Sequence, residues 1–150
     1  MPNRGIDYGT INQTTHINSA VAICDEFVLA TLFHQGIVIK ICKESGKWWP
    51  ILEGLDHPHA VRMLEDAHFT VADTGNGRGL RVALENGEIL EEVCANTTWL
   101  QDCHYDPVRG QWILVDGTTS VLLIKNNRTG QQKRFEVDKE WRLYEVMWLR

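Results

Sequence analysis

Three stretches of this chain can be laid on one another at a period of about 42 residues. The clearest is HPHAVRMLEDAHFTVADTGNGRGLRVALENGEIL, residues 57–90. It reads as a strand, a turn, a strand, a glycine-rich turn, a third strand, another turn and the start of a fourth strand. Upstream lies INSAVAICDEFVLATLFHQGIVIKICKESGKWWPIL, and downstream LQDCHYDPVRGQWILVDGTTSVLLIKNNRTGQQKRFEV. The second strands end in VLAT, TVAD and LVDG, so Thr31 precedes Asp73 by 42 residues and Asp73 precedes Asp116 by 43. The third strands, IVIKI, GLRVAL and VLLIK, align Ile41, Val82 and Ile124 at spacings of 41 and 42. The fourth strands, KWWPIL, EILEEV and QKRFEV, each follow a turn: KESG, LENG and NNRTG.

Four short strands recurring at this period are the signature of a β-propeller blade. The expected fold is therefore all-β. Blades are expected at about 13–55, 56–96 and 97–139, with RLYEVMWLR, inside 140–150, as the innermost strand of a further blade. RGIDYGTIN (4–12) reads as an outermost strand or an extended arm. The one segment with any helical pattern, EILEEVCANTTWL, lacks a clean cap, and its place in the repeat calls for a strand.

The middle unit is similar to the NHL repeat of six-bladed, TolB-like propellers. Pro58, Ala72, Asp73, Thr74, Gly75, Asn76, Asn86 and Gly87 fit that pattern. The likeness is motif-specific over about 35 residues and architectural over about 125. In the first unit Thr31 stands at the Asp position and LFHQG replaces TGNGRG; in the third, Asp116 is kept and GTTS replaces the rest. The resemblance implies the fold and a ring of six blades. It implies no activity, because such propellers include enzymes and pure binding scaffolds.

A chain of 150 residues with 43% hydrophobic and 23% charged residues has the composition of a soluble globular protein. No apolar run has the length of a membrane span and MPNRGIDYG has no apolar signal region, so the expected location is cytoplasmic, without a membrane partner. The net charge of -5 and the lack of a basic stripe argue against a nucleic-acid partner. Cys24, Cys42, Cys94 and Cys103 form no C-x-x-C pair, which speaks against a zinc ribbon, and they read as buried free thiols.

A blade packs between two neighbours, so it is apolar on both faces. Three blades leave one apolar face at each end, several hundred Å² that a monomer seldom exposes. A two-fold homodimer of three-bladed halves would close a six-bladed ring; counting the spare terminal strands as half a blade would give seven. A chain truncated from a full propeller would present the same faces.

The first strand of each blade lines the central channel. Aligning these strands superposes Ser19, or its neighbour Asn18, on His59, Asp102 and Glu145, the last three at spacings of 43 and 43. His104 shares the strand parity of Asp102 and extends the set. These are the candidate ligand residues at the channel mouth. Imidazole and carboxylates are also the donors a divalent cation takes, so His59, Asp102 and Glu145 are candidate metal ligands. The same polar groups would equally serve to hydrate a water-filled channel. His57 and His59 point to one side of a strand and could chelate a metal, or be a loop residue and a channel residue without one.

TGNGRG is no phosphate loop, because no helix follows it; Asp73 and Asn76 suit turn chemistry. Of the six tryptophans, Trp112 and Trp148 are expected between blades. Trp48 and Trp49 are adjacent and cannot share a strand face, so one must meet a loop, a neighbouring blade or a partner. Trp48, Trp49 and Trp148 are therefore candidate interface residues.

Two functions follow as expectations. One is a non-catalytic binding or scaffolding module that self-associates, for a small-molecule or protein ligand the sequence does not name. The other is a metal-dependent, lactonase-like hydrolase with its site at the channel mouth.

Overall fold

The computed structural model describes residues 16–138, 140–141 and 143–147. The expected beginning of blade one, the 4–12 segment and Trp148 lie outside the described residues. The described chain holds twelve strands and no helix, so none is long and apolar enough to cross a membrane. Blade one is β1 (Ile17–Ala22), β2 (Phe27–Leu32), β3 (Ile37–Cys42) and β4 (Trp48–Leu52). Blade two is β5 (His59–Met63), β6 (His68–Asp73), β7 (Arg78–Ala83) and β8 (Ile89–Cys94). Blade three is β9 (Leu100–Asp106), β10 (Gln111–Asp116), β11 (Val121–Asn126) and β12 (Gln132–Glu136). Each is an antiparallel meander in chain order. Residues 143–147 belong to no sheet.

The turn between the second and third strands sets the repeat register. It always has four residues, and its last residue is left-handed: Gly36 at φ 66°, Gly77 at 61° and Ser120 at 56°. The carbonyl of that residue accepts from the chain leaving the blade, through Leu55 N, Ala95 N and Val137 N. A Cβ on Gly77 would stand 2.2 Å from Thr97 O, so glycine is required there by contact as well as by φ. Counting from this turn, Leu32, Asp73 and Asp116 are equivalent, and so are Ile41, Val82 and Lys125. The sequence alignment is thus out by one residue at Thr31 and at Ile124. Apolar residues on adjacent positions made the slipped register look equally good, whereas turn geometry tolerates no slip.

Each blade has a back face toward the preceding blade and a forward face toward the next. Blade one's forward face (Leu29, Val38) joins blade two's back face (Phe69, Val71, Leu80, Val82) in one buried core. Blade two's forward face (Ala72, Val93) meets Trp112, Leu114, Cys103 and Tyr105 of blade three in a second. Trp112 is fully buried, 5.0 Å from the Tyr105 ring, and its indole N–H donates to Glu91. Gly79 makes room for it: a Cβ there would be 3.2 Å from Trp112 Cζ3. Side chains of this size contribute about 1.5–3 kcal/mol each on full burial.

The ADTGN motif is a clasp between blades. Asp73 is fully buried. Its Oδ1 accepts from Asp56 N at 2.7 Å, and its Oδ2 from Arg78 Nε at 2.6 Å and Asn76 Nδ2 at 3.0 Å. Gly75 N donates to Asp56 O, and the Thr74 hydroxyl donates to Leu100 O at 2.8 Å. One turn of blade two therefore holds the linker arriving from blade one and the first strand of blade three.

Other expectations need correction. Only Cys103 is a buried thiol; Cys24 and Cys94 are exposed and Cys42 is intermediate. Trp48 and Trp49, as adjacent strand residues must, point to opposite faces, opposite Ile41 and Lys40, and both rings are substantially exposed, at 56% and 45%. The end faces are not bare at their centres. Ala30 and Ile39 on blade one, and Ile113 and Val115 on blade three, are at most 5% exposed.

Candidate functional site

The inner strands β1, β5 and β9 flank a cavity of about 510 Å³. Asn18, Ser19, His59, Asp102, His104 and Glu145 all line it, together with Arg62, Gln101 and Tyr144. His59 and Asp102 do occupy matching positions, opposite Ala72 and Val115.

The side chains then diverge. Ser19 is used in the blade contact: its backbone N–H donates to the Thr31 hydroxyl at 3.0 Å, and its Oγ accepts from Val61 N of blade two at 2.9 Å. The His59 ring is buried, with Nδ1 at 2.8 Å from the Thr74 hydroxyl and 2.9 Å from His57 O. It packs edge-on to Phe33 and Trp99, at 5.2 and 5.7 Å. Phe33 also touches the His16, His34 and His57 rings, so four of the chain's six histidines gather round one phenyl. Burial lowers the pKa of His59; the bond to the His57 carbonyl opposes this, and the nearby His16 and His57 add to it.

Asp102 is the charged centre of the cavity. It is 1% exposed, and its Oδ2 accepts from Arg62 Nη2 at 2.7 Å and from Val146 N at 2.7 Å. Arg62 Nη2 also reaches Glu145 Oε1 at 3.3 Å. Burial pushes the Asp102 carboxyl above the usual carboxylate range, against the pull of Arg62 and the Val146 N–H. Burial likewise works against the Arg62 charge, but the attraction and hydrogen bond of Asp102, with Glu145 behind them, raise its pKa. Among the described residues, Asp102 Oδ1 and Arg62 Nε are buried without a hydrogen-bonding partner.

The proposed metal ligands do not form one donor set. A guanidinium joins Asp102 to Glu145, His59 is turned to Thr74, and among the described residues no three His, Cys, Asp or Glu side chains are grouped to hold a metal ion. His57 pairs with Asp56 and packs at a tilt against Phe33, so it does not share a chelate with His59.

Sequence reasoning missed Arg62. By strict alternation Arg62, three residues after His59, should face the other way. A bulge at Ala60, φ 54°, inserts an extra residue, so His59 opposes Ala72 while Arg62 opposes Thr70, on the same face. The available signal was its being the one cation in the three inner strands.

No family model matches the chain, and no curated protein sequence matches it. Solved structures do. Hydrazine synthase from Kuenenia stuttgartiensis is similar over 73% of this chain and 32% of its own, at 11% identity and a TM-score of 0.58. A chain of a nidogen/laminin complex is similar over 75% of this chain and 44% of its own, at 14% identity and a TM-score of 0.58. The chain thus spans under half the length of either neighbour. At these identities the likeness concerns the fold alone, and with three consecutive four-stranded meanders it makes this chain a propeller-like, all-β array of three blades.

Proposed function

We propose that this protein is a non-catalytic β-propeller module that binds a polar small molecule in the cleft between its inner strands. The carrying observation is the cavity of about 510 Å³ to which all three blades contribute. Its size is within the range of small-ligand sites. Its lining supplies hydrogen-bonding groups rather than an activated nucleophile: amides from Asn18 and Gln101, the Tyr144 phenol, the His104 imidazole and a clamped Arg62. Arg62, fixed between two carboxylates, presents directed N–H groups in a cluster whose formal charge is −1, which favours an uncharged ligand over an anion.

The test is an amide-resolved NMR titration with neutral sugars, polyols and small amides at millimolar concentration. Binding in the cleft predicts shifts concentrated at Arg62, Gln101, Asp102 and His104, lost in Gln101→Leu. A panel that leaves these resonances unmoved, or moves only the outer strands, refutes the reading.

A further inference from the structure

The three blades carry a size pattern that extends past the two interfaces inside the chain. At each internal interface the second residue of the third strand, on the forward face, borders the same core as the second residue of the next blade's second strand, on the back face. Between blades one and two the pair is Val38 and Phe69, both fully buried in one core. Between blades two and three it is Gly79 and Trp112, in direct contact. As the forward residue shrinks from Val to Gly, the back residue grows from Phe to Trp. The unused forward position on blade three is Leu122, and the unused back position on blade one is Val28. Here the forward residue is the largest of the three and the back residue the smallest.

The surrounding positions agree. Blade three's forward face is Ile113, Val115, Leu122, Ile124 and Phe135, where blade two's has Thr70, Ala72, Gly79, Arg81 and Val93. Blade one's back face is Val28, Ala30, Ile39 and Ile41, where blade two's has Phe69, Val71, Leu80 and Val82. Both faces are open toward their outer edges: Leu122, Ile124, Val28 and Ile41 are half-buried, Phe135 is 47% exposed and Trp48 56%.

We infer that the forward face of blade three seats on the back face of blade one of a second copy, Leu122 against Val28, twice in a two-fold dimer that closes a six-bladed ring. A surface made for an unrelated partner has no reason to keep the blade-to-blade volume balance, whereas a further blade of this same repeat does. The inference stands on the repeat and is separate from the ligand in the cleft.

The test uses Val28→Trp and Leu122→Gly, which transplant the Trp112–Gly79 pair to the new interface. Each variant alone has two mismatched interfaces in a homodimer. Mixed, the two chains form a heterodimer with one native and one transplanted pair. Sedimentation in the micromolar range should show a wild-type dimer, each variant with dimer affinity lowered roughly tenfold or more, and recovery on mixing. Phe135→Glu, at an exposed edge position, should weaken the dimer with unchanged circular dichroism, which covers the case in which Val28→Trp does not fold. A wild-type monomer, an open chain longer than two copies, or a dimer indifferent to Phe135→Glu and to mixing overturns the inference. Loss of sugar or amide binding with an intact dimer bears only on the cleft.

Discussion

Replacing Asp73 with Ala tests the clasp on which the blade order depends. The carboxylate is fully buried and accepts three hydrogen bonds, from Asp56 N, Asn76 Nδ2 and Arg78 Nε. Its loss leaves the Asp56 N–H without its acceptor, at about 1 kcal/mol for a part-buried donor. It also strips Arg78 of its shortest ion pair. Arg78 is 29% exposed and keeps Glu92, so this adds about 1–2 kcal/mol rather than the 3–5 of a fully buried pair. The sum is about 2–3 kcal/mol. With a urea m-value of about 1.5–2 kcal/mol/M, the unfolding midpoint should fall by about 1–2 M. Asp116 provides the internal control. It holds the equivalent register position but is only half-buried, and it accepts from Thr118 N, Thr119 N and the Thr119 hydroxyl of its own turn, with the Thr97 side chain as a further partner. Asp116→Ala should cost about 1 kcal/mol or less. Equal midpoint shifts for the two variants would refute the assignment of Asp73 as an inter-blade clasp.

Arg62→Met leaves Asp102 buried with Val146 N as the remaining partner of its Oδ2, and should cost about 2 kcal/mol in urea unfolding, the low side for a buried pair because Arg62 keeps 21% of its side chain in solvent; a change under about 0.5 kcal/mol would show the pair to be idle. Gly79→Val drives a side chain into Trp112 and Cys103 and should lower stability by about 1–3 kcal/mol, with loss of the near-ultraviolet signal of the buried indole; native stability and signal would contradict the packing. His59 has a folded pKa below its unfolded value of about 6.5, so its contribution is fully present above pH 6.5 and is lost as the pH falls through the folded pKa. Unfolding midpoints should therefore drop between neutral and mildly acid pH, and His59→Gln should flatten that slope; a variant with the wild-type slope assigns the effect elsewhere.

The strand count, the three four-stranded meanders and the propeller-like class were legible in the chain, because a period near 42 with alternating strands and turn residues has few physical solutions. The apolar residues of the cores were legible too, since burial on both faces writes near-continuous hydrophobic strands such as FVLATL and QWILVD. Asn18, Ser19, His59, Asp102, His104 and Glu145 are singled out by repeat spacing and strand parity, and all of them border the cavity. What those side chains do there was decided by tertiary structure. The bulge at Ala60 brings Arg62 onto the His59 face, a one-residue event that strand parity cannot anticipate. Arg62 then ties Asp102 to Glu145, residues 40 and 83 positions away, so carboxylates that read as cation ligands in sequence are held by a guanidinium in space. Superposed repeats bring these groups to the inner strands and the cavity between them; backbone irregularities and long-range charge pairing decide which way each one turns.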